Sequence, residues 1–243
     1  MQLRWQLPVI IAAVAAAIVA FAYLTDSQAF LPGLLAGAWI TIQITVLGAI
    51  LAVICAVTAA VAKLYGVLPV RWFAVAYIET FRGTSALVQL FWLFFVLPHF
   101  GITMEPMTAA VVALGLNLGA YGAEVVRGAI QAVPRGQWEA TTALNMTRIA
   151  ALRRIVLPQA FVAMIPPWGN LLIELLKSTA LVSLITIGDL AFRAQQMNQT
   201  TLRTVEVFTL TLLIYLCLSL AITFAVRTVE RWASTGLARG RAA

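Results

Sequence analysis

The sequence predicts an all-α, polytopic membrane helix bundle, and three observations carry that prediction. Of its 243 residues, 62% are apolar and only 10% are charged, far from the make-up of a soluble globular domain. Apolar stretches recur at lengths that suit a hydrocarbon core of ~30 Å, which takes roughly 20 residues as helix. The basic residues responsible for a net charge of +7 gather at the ends of those stretches.

In chain order the predicted spans cover residues 8–24, 34–62, 86–100, 107–126, 160–176 and 205–226. Arg4 ahead of the first resembles the start of a signal peptide, but Phe21-Ala22-Tyr23-Leu24 lacks a small-residue cleavage pattern, which favours a retained anchor. In the second span Thr41 and Thr45 share a helical face, with Gly33 and Gly37 before them at the same spacing; Gly115 and Gly119 repeat the pattern in the fourth. Such small-residue faces let helices approach closely, either within the bundle or against a second membrane subunit. Between the second and third spans, residues 71–83 are amphipathic and suit the membrane interface. Gly83 permits a sharp bend there, and Thr84 or Ser85 can cap the next helix. The third span is short, and Pro166-Pro167 interrupts the fifth. Residues 181–203 mix apolar and polar side chains as an external loop with short helical pieces would. Cys55 and Cys217 fall inside spans and read as small apolar residues, with no metal or disulfide spacing.

With six crossings and the segment around residues 127–154 placed in the cytoplasm, only Lys177, Arg193 and Arg203 of the 16 Lys and Arg fall outside. That asymmetry is the positive-inside pattern, and it puts both termini in the cytoplasm. Scattered in this way, the basic residues form no stripe with interleaved aromatics, so nucleic acid is not an expected partner. The organisation is an anchor helix with an external link over 1–32, a membrane domain over 33–232 and a cytoplasmic tail over 233–243.

The polar island at 128–158 is the most informative segment. Pro134 suits the position just before a helix containing Gln137, Trp138 and Glu139, and Glu139 is expected in its first turn, favourably placed against the positive helix end. Ala140, Ala143, Leu144 and Met146 give a small, partly apolar surface. Thr147 suits the cap of a second helix through 149–156, which Pro158 is expected to end or redirect. So short a helix is marginal alone in water. It needs either a groove on another protein or the membrane surface, and composition alone does not choose between them.

Four passages together resemble one family. They are Glu79-Thr80-Phe81-Arg82-Gly83-Thr84 with Gln89; Gly119-Ala120-Tyr121-Gly122-Ala123-Glu124-Val125-Val126-Arg127-Gly128; the island, from Pro134 through Glu139-Ala140 to Leu157-Pro158; and Pro166-Pro167-Trp168-Gly169-Asn170 followed by Lys177-Ser178-Thr179-Ala180-Leu181-Val182-Ser183. From Gly37 to Trp232 the chain resembles the permease subunits of ATP-binding-cassette (ABC) importers for polar amino acids, opines and related solutes, and the island resembles their EAA loop. The resemblance implies a five-span core, to which the 8–24 helix is extra. Where the family usually has glycine, six residues after the EAA glutamate, this chain has Asn145, the non-glycine residue that best tolerates a left-handed turn. Leu144-Asn145, the run 91–98 and Glu174-Leu175-Leu176-Lys177-Ser178 are similar to the ectoine and hydroxyectoine branch.

The resemblance implies partners: two ABC ATPase subunits, a second permease subunit, identical or related, and an external solute-binding protein. The chain itself has no Gly-x-x-x-x-Gly-Lys-Ser/Thr phosphate loop, so ATP and Mg are expected on the partner ATPase and no cofactor on this chain. Gln137, Glu139, Ala140, Leu144, Asn145, Met146, Leu157 and Pro158 are the expected ATPase-coupling residues.

Ionisable and polar groups in spans point to a solute path. Asn117, Tyr121, Glu124, Asn170, Glu174 and Lys177 are the candidates. Packing with local bonds is the competing reading: Glu124–Arg127 and Glu174–Lys177 each have ion-pair spacing. A proline break at membrane depth frees backbone groups and in transporters often marks the binding site. An intramembrane enzyme is disfavoured, because His99 is the lone histidine and no paired carboxylates or metal-ligand spacing occur. A stand-alone secondary transporter or channel would need internal repeats or strongly placed intramembrane charges, and the sequence shows neither.

Overall fold

The computed structural model describes residues 3–241, with side chains described over 7–234. Met1, Gln2, Ala242 and Ala243, at the ends of the expected anchor and tail, lie outside the described residues. Ten α-helices follow in order: α1 Leu3–Leu24, α2 Leu31–Tyr65, α3 Leu68–Gly83, α4 Ala86–Phe91, α5 Pro106–Gln131, α6 Arg135–Ala143, α7 Arg148–Ala151, α8 Leu157–Ser178, α9 Leu190–Thr201 and α10 Thr204–Arg241. Several open on a proline in the first turn, including Pro32, Pro69, Pro106 and Pro158, where a missing N–H leaves no bond unmade.

Among the described residues, five helical stretches are long and apolar enough to cross a membrane. They are Leu7–Leu24, Gln28–Tyr65, Pro106–Gln131, Arg148–Ile185 and Thr204–Ser234. The expected third span is helical over Ala86–Phe100 but passes from α4 into a π turn and a 3-10 turn, and is too short to cross alone. Joined to α3 through a 107° bend at Gly83, it makes a sixth, broken span or a re-entrant loop. Ser85 takes the cap position of α4 without a side-chain bond, and Thr84 Oγ1 donates to Thr80 O at 2.8 Å, so neither caps as expected.

Three apolar cores form among the described residues. One joins α2, α4, α5, α8 and the 3-10 turn Thr179–Ile185 through Ile44, Leu90, Leu114, Leu175 and Val182. A second, at the end where α5 leaves for the island, holds Ala59, Ile78, Val126, Val133, Val156 and Ala160. The third fixes α1 and α9 to α2 and α10 through Ala22, Leu34, Leu190 and Leu210. The glycine faces serve packing within the chain. A Cβ on Gly115 would meet Leu51 of α2 at 2.9 Å, and one on Gly37 would meet the backbone of residues 189 and 190 at 2.8–2.9 Å.

Pro166 and Pro167 do not break the fifth span, contrary to expectation: α8 runs through both. Contacts on either flank hold it, with the Trp168 ring against Gly122 and Val226 against Gly169. The two missing N–H groups still leave the carbonyls one turn back, at Val162 and Ala163, without helical donors.

Asp189, fully buried, caps α9. Its carboxylate accepts from Phe192 N at 2.9 Å and Ala191 N at 3.3 Å, and Thr41 Oγ1 accepts from Leu190 N at 3.2 Å. Burial raises its pKa to about 6, against the opposing pull of the two N–H groups. The folded state therefore binds the proton more tightly than the unfolded state. The contribution of Asp189 to stability is most favourable below about pH 4, falls as the pH rises to about 6 and is level above, a loss on the order of 2 to 3 kcal/mol. Asp189→Asn keeps an acceptor at the cap and removes the charge. Thermal unfolding of the detergent-solubilised variant is expected at a higher temperature than the parent at pH 7, with the gain over the parent shrinking as the pH falls from 6 to 4; a gain that did not change with pH would contradict this account.

Candidate functional site

Within the island, α6 presents two different faces. Thr141 is buried and Trp138 half-buried against the second core, while Glu139, Ala140, Ala143 and Leu144 are exposed. Glu139 stands in the second turn, because α6 begins at Arg135 and not at Gln137 as the residue types suggested. It makes no hydrogen bond or ion pair among the described residues, whereas Gln137 Oε1 accepts from Gln159 Nε2 of α8 at 3.3 Å.

The end of α6 is a Schellman turn. Asn145 lies in the left-handed region at φ 52°, Asn145 N donates to Thr142 O and Met146 N to Thr141 O, both at 3.0 Å. Asparagine thus takes the position where glycine has no steric penalty. Thr147 Oγ1 then accepts from Ala150 N at 3.3 Å and caps α7. Pro158 does not end the helix that follows, a second departure from expectation. A π turn over Leu152–Val156 shifts the register just ahead of it, so the ring enters in the first turn of α8. Leu157 and Pro158 are exposed. Leu144 is 74% and Ile149 79% exposed, flanked by exposed Arg135, Arg148, Arg153 and Arg154.

The path candidates separate into two groups. On α5, Asn117 Nδ2 donates to Phe81 O at 3.0 Å and to Gln89 Oε1 at 3.1 Å, and Tyr121 OH donates to Arg82 O at 3.3 Å. Gln89 Nε2 also donates to Phe81 O at 2.9 Å and to Thr84 Oγ1 at 2.6 Å. These bonds satisfy carbonyls that α3 leaves open where the chain turns at Gly83. Glu124 accepts from Lys63 Nζ of α2 at 2.8 Å through Oε1 and from Arg127 Nη2 at 2.6 Å through Oε2. The Glu124–Arg127 spacing signalled half of this; Lys63, read only as a topological charge, was missed.

The second group lies on α8. Asn170, Glu174 and Lys177 are exposed at helical spacing on one face with Ala163 and Pro167. None makes a hydrogen bond or ion pair among the described residues, so the local Glu174–Lys177 pair does not form. A polar face on a membrane-length helix, beside carbonyls freed by two prolines, requires water or another subunit against it.

Comparison with known proteins gives a consistent result. Residues 48–235 match the family described as binding-protein-dependent transport system inner membrane component. A probable amino-acid ABC transporter permease protein, y4tF of Sinorhizobium fredii, is 48% identical over 206 residues, covering 81% of this chain and 87% of the relative. The L-cystine transport system permease protein TcyB of Bacillus subtilis is 43% identical over 171 residues, covering 70% and 73%. A solved amino acid ABC transporter described as crystallised with histidines is 34% identical, superposes with a TM-score of 0.80 and covers 85% of this chain and 97% of its own. The all-helical architecture, the multi-pass membrane character and the reading as a transport subunit whose ATPase is a separate chain agree with these relatives. The chain belongs to the binding-protein-dependent transport system inner membrane component family and is the permease subunit of an amino-acid ABC importer.

Proposed function

We propose that the 128–158 loop is cytoplasmic and docks an ABC ATPase subunit, which carries the ATP and Mg, and that the chain works as one of two permease subunits fed by an external solute-binding protein. The carrying observation is the loop itself. Leu144 and Ile149 are exposed on a Schellman-turned helix pair whose opposite side packs into the bundle, the geometry of a helix offered to a groove. The arrangement of basic residues supports a cytoplasmic loop and cytoplasmic termini. Nothing favours a stand-alone transporter or channel.

For the solute path, the free α8 face is the better supported half of the candidate set. Asn117, Tyr121 and Glu124 already have partners, while Glu174 and Lys177 offer opposite charges that a zwitterion can engage. Relatives bear the names of cystine, arginine and glutamine systems. Within that amino-acid class we propose ectoine or hydroxyectoine as the solute, on Leu144-Asn145, the run 91–98 and Glu174–Ser178.

Uptake of labelled ectoine against arginine, glutamine and cystine, in cells expressing all subunits, tests the solute; import of one of the other three without ectoine would reject the ectoine reading. Glu174→Gln and Lys177→Gln are each expected to lower uptake by about tenfold while the ATPase still co-purifies. Parental uptake by both variants would remove α8 from the path.

A further inference from the structure

We propose that Glu124 is a positioning residue that fixes the coupling loop to the bundle: its carboxylate joins Lys63 of α2 to Arg127 near the end of α5, so that loop movement is passed to α2. The inference rests on the loop being the ATPase dock. Glu124 Oε1 accepts from Lys63 Nζ at 2.8 Å; Oε2 accepts from Arg127 Nη2 at 2.6 Å and Nε at 2.9 Å. The side chains are 20% (Lys63), 18% (Glu124) and 31% (Arg127) exposed, so water screens the three charges weakly. Glu79 of α3 is the other acidic group near Lys63, at 4.0 Å and 63% exposed.

The clamp sits one turn before the end of α5, on the way to the loop. α5 ends at Gln131, three residues before the Pro134 cap of α6. A Cβ on Gly128, just past Arg127, would meet nothing within 4 Å, so packing does not brace that side of the helix. Arg127 Nη1 donates to Gln131 Oε1 at 2.6 Å, carrying the charge-assisted chain to the last residue of α5. Removing the carboxylate leaves Lys63 and Arg127 as neighbouring cations and breaks the charged link between α2 and the loop end of α5, while the apolar packing of Ala59 and Ala60 on Ala123 and Val126 stays. The loop then remains docked while its movement reaches α5 alone.

The test uses the whole importer in proteoliposomes, with its ATPase and binding protein, and whichever of labelled arginine, glutamine, cystine or ectoine the parent imports. Two readouts separate the readings: ATPase co-purification reports docking, and solute imported per ATP hydrolysed reports the clamp. Glu124→Gln is expected to hold the ATPase and hydrolyse ATP while solute per ATP falls about tenfold. Lys63→Gln is expected to lower the same ratio, and the double variant to be no worse than the poorer single, because one linkage is being broken twice. A parental ratio in Glu124→Gln, even with a lower unfolding temperature, would leave the triad a structural ion pair and overturn the proposal, as would single losses that multiply in the double. If the parent carries no ATPase, the docking reading and this one fall together; if it does and the ratio is unmoved, the clamp alone falls.

Discussion

Deletion of residues 140–147 leaves the protein inserted in the membrane but unable to hold an ATPase or import solute. Insertion survives because the apolar spans lie outside the deleted segment, and α5 and α8 pack on α2 independently of it. Assembly fails because the segment carries the outward face of α6, with Leu144 at 74% exposure, together with the turn that orients α7. Burying one leucine is worth roughly 1.5–3 kcal/mol, and every 1.4 kcal/mol changes an association constant about tenfold. Leu144→Asp, which retains the fold of the loop, is therefore expected to weaken ATPase association by at least about tenfold, and Glu139→Ala to abolish transport. Membrane-fraction abundance, ATPase recovered with the tagged permease and labelled solute uptake are the measurements. A deletion variant that imported solute at the parental rate would show that this loop is not the coupling element.

What the sequence disclosed and what it hid divide along physical lines. The spans at 8–24, 34–62, 107–126 and 205–226 were legible because membrane helices are specified by length and apolarity over contiguous residues. The left-handed turn at Asn145 and the Thr147 cap were legible for the same reason: each is a local preference of one residue type. Proline misled twice. Its local rule says that helices stop, and the π turn before Pro158 and the packing around Trp168 and Gly169 override it. The site was hardest where partners are distant in sequence. Glu124 and Lys63 are 61 residues apart, and no periodicity connects them. Asn117 and Tyr121, four apart on one face, suggested a solute-facing pair, but the carbonyls at the Gly83 bend hold both. Asp189 stood in a segment read as a loop with short helical pieces, none of them placed, although an aspartate directly ahead of Leu190-Ala191-Phe192 is an N-cap signal.

Gly37→Ala inverts the usual effect of that substitution. In a helix interior, replacing glycine by alanine ordinarily gains roughly 0.5–1 kcal/mol, because the backbone loses less entropy on folding. Gly128→Ala, in α5, is expected to behave so, since its Cβ would meet nothing within 4 Å. At Gly37 the new methyl would lie 2.8 Å from Asp189 O and 2.9 Å from Leu190 Cα. Both are backbone atoms at the start of α9, so no rotamer change can relieve the contact and the helix itself must move. Moving it stretches the 3.2 Å bond from Leu190 N to Thr41 Oγ1, one turn along α2, and loosens a core that includes Leu34, Leu190 and Ala194. Overpacking of this kind costs about 1–3 kcal/mol, which exceeds the entropic gain and sets the sign. Thermal unfolding of the two detergent-solubilised variants should therefore separate in opposite directions from the parent. A Gly37→Ala protein that unfolded at or above the parental temperature would mean that α9 rests on α2 less tightly than the buried Thr41 contact requires.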